Sequence, residues 1–113
     1  MTQRTPRAPK HLRLATRRWW ESVLADFDLE DHHVRLLTRA AEAWDRGEQA
    51  REAIAEHGLT FTDRFGSPRA RPEVAVERDS RIGFARLLRE LALDVDSPEA
   101  PRAPRTRDYG NRR

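Results

Sequence analysis

The residues with the clearest chemical meaning are the basic side chains at the start of the chain. Residues 1–18 hold six basic side chains and no acidic one, whereas residues 19–93 hold 11 basic and 15 acidic side chains. Guanidinium and ammonium groups neutralise phosphates and release counterions without reading base sequence. We therefore predict that this end contacts a polyanion through Arg4, Arg7, Lys10, Arg13, Arg17 and Arg18. The alternative is a solvated tail that only keeps the protein soluble.

A second basic cluster lies in a short turn-rich segment in the middle of the chain. Arg64, Arg69 and Arg71 stand there close to Asp63, which makes them a second candidate DNA contact. The competing interpretation is that Phe61 and Phe65 of the same segment pack against a neighbouring subunit.

The sequence offers no pattern typical of catalysis or of metal binding. There is no cysteine, and the five glycines are scattered rather than grouped in a phosphate-binding loop. His32 and His33 are adjacent, so on a helix their side chains diverge by about 100° and do not form the i,i+4 pair that holds a zinc ion. We expect no catalytic residue, no metal site and no cofactor.

Composition indicates how many domains the protein has and in which compartment it works. The chain has 113 residues, of which 37% are hydrophobic and 36% are charged. That length suits one domain with tails, and that balance is typical of exposed amphipathic helices. Without an apolar stretch of signal-peptide or membrane-spanning length, and without cysteine, we expect an intracellular protein that does not contact a membrane.

The basic clusters must be positioned by helices, and the spacing of the apolar residues predicts where these helices lie. Trp20, Val23, Leu24 and Phe27 recur at i, i+3, i+4 and i+7, which predicts a first helix over about residues 14–27.

The second and third helices are indicated by their ends. Asp31 is the predicted N-cap of a second helix of about 26 residues, which ends at Gly58 in the C′ position. Pro72 and Glu73 suit the first turn of a third helix that ends near residue 92. Glu42 with Arg46 is expected to form an i,i+4 ion pair on the second helix, and Glu77 with Arg81 on the third.

The complete pattern predicts a mainly α fold. It has two long helices and a short N-terminal helix, with a small β-hairpin between the second and third helices and disordered termini. We divide the chain into a flexible basic arm (1–13), a helical domain for oligomerisation and DNA recognition (14–93) and a disordered tail (94–113).

The second helix is long for so small a domain. About 26 residues rise roughly 39 Å, so we predict packing against neighbouring chains. Gly47, inside this helix, indicates a close helix contact or a bend. Tryptophans 20 and 44 are expected in a core or an interface, and Trp19 is expected to be more exposed. The predicted interface residues are Leu37, Ala41, Trp44, Ile54, Phe61, Phe65 and Ile82.

Several segments in this order resemble phage terminase small subunits. They are a basic arm, Trp19-Trp20, Ala-Trp-Asp-Arg (43–46), Gly-Leu-Thr-Phe-Thr-Asp-Arg-Phe-Gly (58–66) and Pro-Glu-Val-Ala-Val-Glu-Arg-Asp-Ser-Arg (72–81). The resemblance covers about residues 9–93. Similar proteins often have a Ser-type helix cap after His-Leu, where this chain has Arg13, and a weaker cap is implied.

The resemblance implies a non-enzymatic, ring-forming, all-helical protein in the cytoplasm of a bacterial host. Its expected partners are viral double-stranded DNA, further copies of itself and the large terminase subunit, which holds the packaging ATPase and the nuclease. The tail is the candidate docking segment for the large subunit. The alternative is a small dimeric helix-turn-helix transcription regulator, with the first two helices as the DNA-reading unit. An enzyme whose catalytic cluster is shared across chains is the weakest alternative.

Overall fold

The computed structural model describes residues 6–93, and these residues form three helices and one β-hairpin. The helices are α1 (Leu14–Asp26), α2 (Asp31–His57) and α3 (Pro72–Leu91). The strands β1 (Thr60–Thr62) and β2 (Pro68–Ala70) pair antiparallel between α2 and α3, with Thr60 opposite Ala70. The predicted mainly α fold with its hairpin is confirmed. The predicted tail (94–113) and Arg4 lie outside the described residues.

The first helix runs antiparallel to α2 and covers only part of it. Near the start of α1, the Thr16 hydroxyl donates to Asp45, and one turn later the Trp20 indole donates to Thr38 Oγ1 at 3.2 Å. Moving forward along α1 therefore means moving backward along α2. Because α1 begins beside Asp45, the last turns of α2 extend past it with α3 as their helical neighbour.

The core lies at one end of the molecule, where α1, the first half of α2 and the end of α3 meet. Its buried residues are Ala8, Leu12, Trp20, Val23, Leu37, Ala41 and Leu91. The buried position of Trp20 is as predicted.

The chain before α1 differs from the expected flexible arm. Ala8 and Leu12 are only 7% and 3% exposed, and the Ala8 amide donates to the Glu21 carboxylate at 3.0 Å. Two apolar residues among the cations are enough to dock residues 6–13 on the helices. The free energy gained by burying their apolar area exceeds the conformational entropy lost when this short segment is ordered, and its prolines keep that entropy loss small.

The helix ends follow the predicted chemistry with one correction. Gly58 ends α2 with φ 86°, and Pro72 opens α3, as expected. The N-cap of α2 is Glu30 rather than Asp31: its side chain accepts the His33 amide, and the His33 ring accepts the Glu30 amide at 3.4 Å. This reciprocal capping box satisfies two backbone amides, whereas a single capping side chain usually satisfies one. At the start of α1, Arg13 makes no side-chain cap bond, as the resemblance implied.

One of the two predicted i,i+4 ion pairs is wrong. Glu77 and Arg81 lie 3.3 Å apart as expected. Glu42 instead contacts Arg39 at 3.1 Å and His11 at 2.8 Å. His11 belongs to the docked N-terminal segment, so this partner depends on tertiary packing.

Gly47 lies at a close approach of α2 and α3. A Cβ built on Gly47 lies 3.3 Å from the Cβ of Ser80, which is tighter than an ordinary van der Waals contact. Gly83 is the second helical glycine, and a Cβ there meets nothing within 4 Å. Of the two interpretations of Gly47, close helix contact is the one that the structure supports.

The variant Gly47→Leu should separate the two long helices and lower the free energy of unfolding by about 1–3 kcal/mol. The matched control Gly83→Leu should be neutral or stabilising by up to about 1 kcal/mol, because it gains helix propensity without a clash. Urea denaturation at one fixed protein concentration measures both. Equal effects of the two substitutions would contradict the close contact at Gly47.

Candidate nucleic-acid and subunit interfaces

Three of the predicted DNA-contacting cations share one depression on the surface. Arg7, Lys10 and Arg17 line it together with Ala8 and Glu21, and its volume is about 500 Å³. Arg7 and Lys10 are exposed, while Arg17 is half-buried. The Arg17 Nε is buried and has no hydrogen-bond partner among the described residues. We call these three cations the arm cluster, and together they give the depression a positive charge that attracts an anion.

The remaining two described cations of this segment lie elsewhere. The Arg13 guanidinium donates two bonds to Glu52, at 3.0 and 2.9 Å, and so points along α2. This bond lowers the pKa of Glu52 and raises the pKa of Arg13. Arg13 therefore already has a carboxylate partner. Arg18 is exposed on α1 and does not line the depression.

The hairpin is built around the Asp63 carboxylate. It accepts the amides of Phe65 at 2.9 Å and Ser67 at 3.0 Å, and the Arg69 Nε donates to it at 2.9 Å. The bond from Arg69, assisted by the two amides, lowers the pKa of Asp63. Gly66, with φ 81°, completes the turn in a conformation that favours glycine.

The hairpin arginines are largely engaged within the chain. Arg69 pairs with Asp63, and the Arg71 Nε donates to the His57 carbonyl at 3.2 Å, which ties the end of the hairpin to α2. The Arg64 guanidinium lies 4.9 Å from the centre of the Phe65 ring. Arg64 is exposed and has no hydrogen-bonded partner among the described residues, while Phe65 is 76% exposed and Phe61 is 39% exposed.

An aromatic cleft of about 370 Å³ opens where the three helices meet. It is lined by Ala15, Thr16, Trp19, Trp44 and Phe84. The Phe84 ring centre lies 5.0 Å from that of Trp44 and 5.8 Å from that of Trp19. The expectation that Trp19 is the exposed tryptophan is wrong: it is half-buried, whereas Trp44 is 48% exposed. Phe84 comes from α3, so no local pattern revealed this cluster.

The predicted interface residues divide into buried and accessible ones. Leu37 and Ala41 are fully buried at 0% exposure, and this corrects their assignment, since they fill the core of one chain and are closed to a partner. Ile54 is half-buried. The accessible ones are Trp44, Phe61, Phe65 and Ile82, each at least 39% exposed.

The adjacent histidines do not diverge as expected. The ring centres of His32 and His33 are 4.1 Å apart, and Glu30 brings a carboxylate close enough for the three to form a group of potential metal ligands. Glu30 and His33 already bond to each other's backbone amides in the capping box. The capping box accounts for the positions of Glu30 and His33, and the His32 Nδ1 lies 3.6 Å from the Glu30 carboxylate.

A comparison with protein-family models identifies the chain. The model described as phage terminase, small subunit, matches residues 17–106, which is most of the sequence. The chain belongs to the phage terminase small-subunit family. The match spans the hairpin and nearly all of the three helices, but it begins at Arg17, so Arg7, Lys10 and Arg13 precede it. No curated protein and no solved structure gives a significant match.

One further property concerns membranes. Within residues 6–93 of this small terminase subunit, no helix combines the length and the apolar character needed to span a bilayer.

Removing the Asp63 carboxylate should open the hairpin of this subunit. In Asp63→Ala the amides of Phe65 and Ser67 and the Arg69 guanidinium lose their shared acceptor, so trypsin should cleave after Arg64 severalfold faster. Mass spectrometry of the early fragments measures this rate. The control is Asp79→Ala, which removes the same charge from the exposed face of α3. Equal acceleration in both variants would contradict the role of Asp63.

The hairpin should also resist mild acid. Because the folded pKa of Asp63 lies below its ordinary value of 3.8, its stabilising contribution is complete above that value. The contribution is lost only as the pH falls through the lowered pKa. We expect the amide chemical shifts of Phe65 and Ser67 in NMR spectra to stay constant from pH 7 to about pH 5 and to move below the ordinary aspartate range. Movement centred above pH 4 would contradict the lowered pKa.

Proposed function

We propose that this small terminase subunit binds viral double-stranded DNA as a homo-oligomeric ring and recruits or regulates the large terminase subunit during genome packaging. Family membership supports the packaging role. The observation that carries the DNA contact is the arm cluster, in which Arg7, Lys10 and Arg17 line one depression. The subunit acts in the host cytoplasm by binding, and catalysis belongs to the large subunit.

The arm cluster is the stronger of the two candidate DNA contacts. Its cations converge on one depression, whereas Arg69 and Arg71 already bond within the chain. Arg18 extends the positive surface along α1, and Arg4 precedes the docked segment in the sequence. In this proposal Arg64 is the hairpin residue with the best access to a phosphate, and Arg13 is a structural cation.

In a ring, weak contacts between each subunit and DNA are sufficient for stable binding. Each copy presents a few phosphate-binding cations, and several copies on one ring raise the effective concentration of every further contact. The exposed apolar residues of the hairpin and of α3 support association, since surfaces such as those of Phe61, Phe65 and Ile82 are usually covered by a partner when they are grouped. In a closed ring, every subunit would make the same contacts with its two neighbours.

The helix-turn-helix regulator is the less favoured function. In that class the start of the second helix enters the major groove. Here α2 begins with exposed Glu30 and Asp31, whose carboxylates would repel phosphates. The mass of the purified chain in solution separates the two functions, because a regulator is a dimer and the proposed packaging subunit is a larger closed ring.

The triple variant Arg7→Gln, Lys10→Gln, Arg17→Gln should weaken binding to double-stranded DNA. The slope of log affinity against log salt should decrease by about 0.9 for each phosphate contact removed. The control triple variant Arg46→Gln, Arg86→Gln, Arg89→Gln removes the same charge from exposed positions outside the depression. Fluorescence anisotropy at several salt concentrations measures both.

Two outcomes of that experiment would contradict the assignment. If both triple variants weaken DNA binding equally, the effect comes from the lower net charge and not from the arm cluster. Unchanged affinity in the arm variant would remove Arg7, Lys10 and Arg17 from the DNA interface. Native mass spectrometry on the same samples shows whether each variant keeps the wild-type subunit number, so a lost ring is distinguished from a lost phosphate contact.

A further inference from the structure

The tip of the hairpin presents a preformed aromatic knob. Phe65 is 76% exposed, and its amide bonds to Asp63 hold the turn beneath it. The base of the hairpin is also fixed, because the Arg71 amide donates to the Leu59 carbonyl at 2.9 Å. A partner that buries Phe65 therefore loses little conformational entropy at the tip.

The same chain offers a cavity of the corresponding chemistry. The aromatic cleft between the helices is lined by two tryptophans, Phe84, Ala15 and Thr16, and it is predominantly apolar. Aromatic rings pack well edge-to-face or offset against such walls. Trp44, nearly half exposed at its edge, would become covered by a ring inserted into the cleft.

A chain cannot place its own Phe65 in its own cleft. From Trp44 to His57 the helix α2 rises about 20 Å at 1.5 Å per residue, and the hairpin follows beyond that end. The hydrogen bond from Arg71 to the His57 carbonyl keeps the hairpin at that end of α2. Only a second copy can bring the knob and the cleft together.

Charge favours the same pairing. The hairpin segment 58–71 carries three arginines and one aspartate, a net charge of +2. Residues 14–57, which supply four of the five lining residues of the cleft, carry ten acidic and six basic side chains, a net charge of −4. Opposite potentials on two approaching surfaces steer their encounter and disfavour wrong partners.

We propose that Phe65 of one subunit inserts into the aromatic cleft of the next subunit. The two surfaces differ and lie apart on the same chain, so every added copy leaves one free tip and one free cleft. A contact of this head-to-tail kind repeats until a rotation closes the ring. The inference rests on the ring of the proposed function and names the contact that builds it.

The first test removes each side of the contact separately. Phe65→Ser deletes the knob, and Ala15→Arg fills the cleft from an exposed wall position and repels the basic tip. Each should raise the dissociation constant between subunits by about 30-fold or more, as for a central aromatic anchor. Phe65→Leu keeps an apolar side chain and should retain most of the assembly. Ala25→Arg makes the same substitution at an exposed position on α1 outside the cleft and should assemble like the wild type.

The second test mixes the two variants. Only a head-to-tail contact predicts that they associate with each other although neither assembles alone. Phe65→Ser keeps an intact cleft, and Ala15→Arg keeps an intact tip, so an equimolar mixture should form a 1:1 heterodimer that cannot grow. Native mass spectrometry distinguishes this dimer from the monomers and from the wild-type ring. Tryptophan emission reports the same event, because covering Trp44 shifts its emission to shorter wavelengths in the wild type and in the mixture, but not in either variant alone.

The outcomes separate this contact from the ring itself. If the wild type forms a ring and Phe65→Ser forms the same ring with unchanged subunit affinity, the knob-and-cleft contact is wrong while the ring stands. If the wild type stays monomeric at all concentrations, the ring fails together with the contact, while DNA binding by the arm cluster is judged by its own salt dependence. If neither variant changes assembly but DNA shifts the tryptophan emission, the cleft binds nucleic acid and the proposal is overturned.

Discussion

The long helix α2 packs against α3 along its length, and the approach of Gly47 to Ser80 fixes how closely the two helices lie. The other features of the molecule depend on this antiparallel pair. It returns the chain from the hairpin to the core, where Leu91 joins the residues of α1 and α2. It also carries the hairpin away from that core, since α1 begins only beside Asp45 and leaves the last turns of α2 uncovered by it. A single small core and a remote tip are the result.

The arginines of this protein serve two different physical purposes. Arg13 and Arg69 are held by carboxylates. Water screens the exposed pair of Arg13 and Glu52 strongly, and the Arg69 side of the second pair is exposed as well, although the Asp63 side chain is only 16% exposed. Their value is geometric: one pair ties the start of α1 to α2, and the other shapes the hairpin turn. Arg7 and Arg17 instead face a shared depression without a carboxylate bonded to either guanidinium among the described residues. Free positive charge is therefore concentrated where the N-terminal segment docks, which is the surface that suits a phosphate backbone.

The burial of apolar side chains also differs between the two ends of the molecule. At the core end, Leu12, Trp20, Val23, Leu37 and Leu91 are buried, and further apolar side chains of α1 and α2 pack partly buried against them. Away from it, Phe61, Phe65 and Ile82 remain open because two helices and a two-stranded hairpin cannot enclose an interior of their own. The aromatic cleft lies between these regions, where α1 begins. A subunit with an exposed knob and an open cleft, about 20 Å apart along α2, has the properties of a part that is completed by its neighbours.

The sequence by itself determined the elements. Apolar spacing located three helices, Gly58 and Pro72 placed two of their ends, and the turn residues between them predicted the hairpin. These signals are local, since periodicity and caps act over one or two turns. Tertiary structure alone decided which faces meet. Phe84 joins Trp19 and Trp44, Arg13 reaches Glu52, and Leu37 fills the core instead of an interface. The spacing of residues on one helix shows which side chains share a face, but it does not show which distant helix covers that face.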